Sequence, residues 1–91
     1  MPDIDVTRPH GRSIAEARQL VESLIVKMAK DYDLKHQWEG DTLKFERSGL
    51  SGEMAISPSD IHITAKLGLM LKPLKGRIEK ELVGVLDRKL V

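Results

Sequence analysis

The sequence predicts an α+β fold: a two-layer β-α-β-β-β-β-α chain, with an antiparallel sheet and two helices packed on one face. Three observations predict it. Apolar residues recur at three- and four-residue steps over about residues 14–31, the spacing of a helix with one buried stripe. From Leu34 to Leu67 the period changes to two, with glycine- and proline-containing breaks, which is the pattern of strands with one buried and one wet face. After Pro73 the helical spacing returns, with Leu74, Ile78, Leu82, Val85 and Leu86 on one side.

The elements follow in order. "DIDVT" alternates Ile4 and Val6 against Asp3 and Asp5 and reads as a short strand, which "RPHGR" is expected to break. Ser13 and Glu16 form an S-x-x-E capping box at the start of the first helix. Its stripe is Ile14, Ala17, Leu20, Val21, Leu24, Ile25, Met28 and Tyr32, with Val26 outside it. Leu34, His36 and Trp38 then share a strand face, and "EGDT" turns the chain. Leu43, Phe45 and Arg47 alternate with Lys44 and Glu46, and "SGLSG" is read as a further break before Met54 and Ile56. "SPSD" precedes the last strand, where Ile61, Ile63, Ala65 and Leu67 alternate with His62, Thr64 and Lys66. Short connections predict an antiparallel meander. Pro73 suits the first helical position, where no N–H is needed, and Arg88 and Lys89 suit the last turn. The two helix stripes most simply cover one sheet face.

Ninety-one residues bound the chain to one domain, 1–91, with a modest core. The net charge of +1 and three aromatic residues argue against nucleic acid as a partner. Absence of cysteine removes disulfides and thiolate chemistry. The N-terminus has no basic start followed by an apolar run, so no signal peptide is expected, and no apolar run approaches a transmembrane span. The expected location is the cytoplasm.

Chemistry-bearing residues are few. His10, His36 and His62 are not at metal-ligand spacing, no serine lies in a nucleophile elbow, and "SGLSG" lacks the ending of a phosphate loop. No metal, no cofactor and no catalytic residue is expected, and the chain is read as a non-enzyme. Arg47 falls on the apolar strand phase, where it must reach solvent or an acceptor. Arg8, His10, His36 and Arg47 form a candidate set for contact with an anion or small ligand. The segment "GLMLKPLKG" crowds Leu69, Met70 and Leu71 between two structural periods, beside Lys72, Leu74 and Lys75. These six residues are the candidate partner-binding surface, against the alternative that they close one end of the core. From Lys72 onward six basic residues face three acidic ones, a balance of +3, which suits a solvated helix face or an amphiphilic, anionic partner.

"DIDVTRPHGRSIAEAR", "WEGDTLKFERSGLSGEM" and "ITAKLGLMLKPLKGRIEKEL" together resemble the small bacterial polyhydroxyalkanoic acid system proteins, whose genes accompany those of storage-polyester granules. The resemblance runs through nearly the whole chain; R-P-H, W-x-G-D and L-K-P-L-K-G are its most specific pieces. It implies granule binding or regulation, with the granule surface or its proteins as partner, and supplies no catalytic residues. A homodimer would use the same apolar surface. The alternative is a small-ligand carrier with a pocket between sheet and helices, gated by His36 and Arg47.

Overall fold

The computed structural model describes residues 2–90. Strand β1 (Ile4–Pro9) leads into helix α1 (Ile14–Tyr32). Strands β2 (Lys35–Glu39), β3 (Thr42–Arg47), β4 (Leu50–Ile56) and β5 (Asp60–Leu67) follow, then a 3-10 turn (Lys72–Leu74) and helix α2 (Lys75–Leu90). The predicted order and class are observed. Every strand pairing is antiparallel, and the order across the sheet is β1-β5-β4-β3-β2.

The register explains why one face is buried. Ile4 lies opposite Ala65, Val6 opposite Ile63, Leu43 opposite Met54 and Met54 opposite Ile63. All of these side chains are buried. The intervening residues Asp5, Lys44, Glu53 and Lys66 stay exposed. A period of two allows this sorting only if no strand slips by one residue.

Both helices cover that face. Ala17, Val21, Leu24, Ile25 and Met28 of α1 are buried, as are Ile78, Leu82, Val85 and Leu86 of α2. Val26 is exposed, as its position off the stripe requires. The helices run in opposite directions. Arg12, just before α1, donates to the Lys89 carbonyl near the end of α2, while Tyr32, at the other end of α1, donates to Glu81. Burial and the Glu81 carboxylate both push the Tyr32 hydroxyl pKa up.

Helix α1 has defined ends. Ser13 Oγ accepts from the Glu16 amide at 3.2 Å, and Glu16 Oε1 accepts from the Ser13 amide at 3.4 Å, completing the capping box. Such a cap contributes about 0.5–2 kcal/mol. At the other end Asp33 takes a left-handed conformation, φ 57°, which stops the helix.

Three boundaries differ from the sequence reading. β1 continues through Arg8 and Pro9, because an edge strand pairs on one side only and tolerates a residue without an N–H. β4 begins at Leu50, because only Ser48 and Gly49 form the turn and Gly52 sits inside the strand. Pro73 lies in the 3-10 turn that precedes α2, so Leu74 falls before the buried stripe and is 37% exposed.

Gly52 has a packing reason for being there. It lies opposite Phe45, and a Cβ added to it would come within 2.6 Å of Phe45 Cζ and 2.5 Å of the Thr64 carbonyl oxygen. The aromatic ring occupies the space a side chain would need. Gly52→Val is therefore expected to destabilise the protein by ~1–3 kcal/mol or more through overpacking. A lowered denaturation midpoint at unchanged m-value checks this, and an unchanged midpoint would refute the packing argument.

A second prediction comes from the end of β5. The Asp3 carboxylate accepts the Leu67 amide at 2.8 Å. That hydrogen bond lowers its pKa below the ordinary 3.8; desolvation opposes the shift and Lys72, Lys75 and Lys66 reinforce it. A carboxyl with a depressed folded-state pKa stabilises above its unfolded value, and the contribution disappears as pH falls through the folded value. Asp3→Asn should therefore be less stable than the parent near neutral pH. The difference should shrink as pH drops below about 4. Thermal midpoints of both proteins across this range test the prediction; a gap that persists undiminished in acid would rule out the ionised contact.

Candidate functional site: an apolar tip in a basic collar

The turn that follows β5 is built on two glycines. The Gly68 amide donates to the Gly49 carbonyl at 2.6 Å, joining the end of β5 to the β3–β4 hairpin. Gly49 has φ 84°, a left-handed conformation that favours glycine. A Cβ on Gly68 would lie 3.3 Å from Gly49 Cα, so the two backbones meet with little room between them. The Gly68 carbonyl then accepts from the Leu71 and Lys72 amides at 3.0 and 3.1 Å. This closes a tight turn with Leu69 and Met70 at its two central positions.

Central turn residues project away from the body of the protein. Leu69 is 85% exposed and Met70 is 90% exposed. Leu71 folds back instead: it packs against the core, and its Cδ1 lies 3.4 Å from where a Gly49 Cβ would stand. The three consecutive apolar residues thus divide into one anchor and two projecting side chains. Pro73 then fixes the backbone of the 3-10 turn that leads into α2.

Basic residues surround the base of this tip. Lys72 and Lys75 are exposed on the 3-10 turn and the first residue of α2. Together with Lys66 they act on the Asp3 carboxylate beside the Leu67 amide, which puts all three near the end of β5. From Ile61 to Ile78 the chain carries Lys66, Lys72, Lys75 and Arg77 and no aspartate or glutamate. Lys66 was not among the sequence-predicted partner residues. Its outward strand phase was legible, but its proximity to Lys72 and Lys75 follows from the turn at Gly68.

The structure does not bring Arg8, His10, His36 and Arg47 together. β1 and β2 are opposite edges of the sheet, so Arg8 and His36 lie on different sides of the molecule. Arg8 pairs with Asp87 of α2 at 3.2 Å. His10 is 4% exposed; its Nδ1 accepts the Arg12 amide at 2.9 Å and its Nε2 lies 2.8 Å from the Ser57 carbonyl. Both nitrogens thus face this chain's own backbone, which leaves neither free for a ligand. His36 Nε2 stands 3.7 Å from Glu22. Arg47 reaches outward from its strand end and donates to the Tyr32 carbonyl at 2.9 Å, satisfying a free acceptor at the end of α1.

A second polar cluster lies at the opposite ends of the strands from the tip. Trp38 Nε1 donates to Glu22 at 2.7 Å, and the Arg18 guanidinium stacks on the Trp38 ring, 4.1 Å from its centroid. Arg18 also contacts the Gly40 carbonyl and Asp41. These bonds tie α1 to the β2–β3 hairpin. A shallow groove beside them is lined by Gln19, Ser23, Val26 and Trp38.

The space between the layers is filled. Leu24, Ile25, Leu43, Met54, Ile63 and Leu86 occupy it, each with 1% exposure or less. Among the described residues no cluster of three or more His, Asp or Glu side chains could hold a metal ion, and every buried side-chain polar atom has a partner. No helix of the described residues is long and apolar enough to cross a membrane.

The chain matches no curated protein and no solved structure. Over residues 4–90 it matches the family model described as "Putative polyhydroxyalkanoic acid system protein". The match takes in all five strands, both helices and the tip between β5 and α2. The chain therefore belongs to this family of polyhydroxyalkanoic acid system proteins.

Proposed function

We propose that the chain is a non-enzymatic binding or regulatory protein of the polyhydroxyalkanoate system, and that it docks in the cytoplasm on the surface of the storage granule. The observation that carries this reading is the pair Leu69 and Met70, 85% and 90% exposed, on a turn held from below by backbone hydrogen bonds. Full burial of each such side chain contributes roughly 1.5–3 kcal/mol. Two are too few for permanent attachment, since even one myristoyl chain gives reversible binding. The apolar tip therefore needs help from charge, at about 1 kcal/mol per lysine near an anionic surface. Lys72 and Lys75 stand next to it.

The carrier alternative has less support, because the layer where its pocket would lie is filled by side chains. The test is co-sedimentation with isolated granules that keep their native coat. The parent protein should pellet with granules, while the double variant Leu69→Ser, Met70→Ser should stay in the supernatant with an unchanged thermal midpoint. A parent protein that remains soluble beside granules would overturn the docking reading. A double variant that pellets as well as the parent would move the contact elsewhere.

A further inference from the structure

We infer that the tip recognises an anionic lipid surface, with Leu69 and Met70 inserted among acyl chains and Lys66, Lys72 and Lys75 at the level of the headgroups. This rests on the docking reading above and names its partner chemistry. Three observations favour a lipid occupant.

The first is charge complementarity. The segment from Ile61 to Ile78 presents four cations and no carboxylate. Asp3 accepts the Leu67 amide at the base of the turn and Glu46 lines a shallow groove with Lys66 and Gly68, so the three lysines of the collar outnumber these two carboxylates. A hydrophobic pair with a basic collar matches an interface that is apolar inside and negative at its boundary.

The second is size. Leu69 and Met70 project as a point, whereas a stable protein partner requires on the order of 1,000 Å² of complementary surface. A lipid interface deforms around an inserted side chain and needs no matching shape.

The third excludes the simplest dimer. Two copies meeting tip to tip about a two-fold axis would set Lys66, Lys72 and Lys75 of one against the same residues of the other. Like charges brought together in this way oppose association. Anionic headgroups remove that repulsion.

The inference is tested by flotation of the full chain with vesicles of phosphatidylcholine alone and with vesicles carrying ~30% phosphatidylglycerol. Binding is expected to the anionic vesicles only, and to weaken about fivefold or more when salt is raised from ~0.1 to ~0.5 M. Leu69→Ser with Met70→Ser should weaken it about tenfold or more. Lys72→Gln with Lys75→Gln should abolish the preference for anionic lipid. The chain has no cysteine, so Met70→Cys can carry a single polarity-sensitive dye whose emission should shift to the blue on vesicle binding. No binding to anionic vesicles overturns the inference, and so does equal binding to neutral ones. A bound protein whose dye does not shift also overturns it. A blue shift that grows with protein concentration without vesicles would make a second copy the occupant and reject the lipid. Pelleting with native granules but not with anionic vesicles leaves the docking reading intact and removes the lipid assignment. The reverse result removes the granule reading and keeps the lipid one.

Discussion

The apolar side chains of this sheet lie on one face, so both helices must lie against that face. The rest of the architecture follows from that constraint. β1 and β2 are consecutive strands but occupy opposite edges. The connection between them has to cross the whole sheet, and α1, at about 1.5 Å per residue, is long enough to do it. α2 then returns alongside α1 in the opposite direction. The remaining sheet face keeps its charged and hydroxyl side chains in water, with pairs such as Asp5–His62 and Glu39–Lys44.

The same constraint determines where an exposed apolar group can arise. Residues inside the alternating strands are sorted by register, and residues inside the helices are sorted by stripe. Val26 stands alone off the α1 stripe, whereas adjacent exposed apolar residues arise where one period gives way to another. Between Leu67 and Ile78 the chain leaves the sheet, turns on Gly68, passes Pro73 and enters α2. Leu71 is still claimed by the core, but Leu69 and Met70 are not. Their placement is a property of the turn, whose geometry depends on close contact between Gly49 and Gly68.

Most of the fold was legible because local patterns carried it. The period-two runs, the capping box at Ser13 and the turn at Gly40 each have a short-range cause. What escaped was long-range. "SGLSG" looks like one break, yet only Gly49 serves the turn; Gly52 is a strand residue whose missing side chain is filled by Phe45 from the neighbouring strand. The extension of β1 through Pro9 needed knowledge that β1 is an edge. The candidate site was legible to a similar depth. Composition drew attention to Leu69, Met70, Lys72 and Lys75, but periodicity could not tell that Leu71 turns inward or that Lys66 joins the collar. The other set failed to converge for the same reason: Arg8, His10, His36 and Arg47 gave no sign in sequence that four strands' width separates the two ends of the set.

The exposure of Met70 has a chemical corollary. Met28 and Met54 are shielded within the core at 2% and 0% exposure, whereas the Met70 thioether stands in solvent. Oxidants reach sulfur according to its accessibility, and the resulting sulfoxide is polar where the thioether was apolar. Peroxide would therefore attack Met70 ahead of the core methionines. One added oxygen atom would make the tip hydrophilic while leaving the packing beneath it intact, and methionine sulfoxide reductase chemistry would restore it.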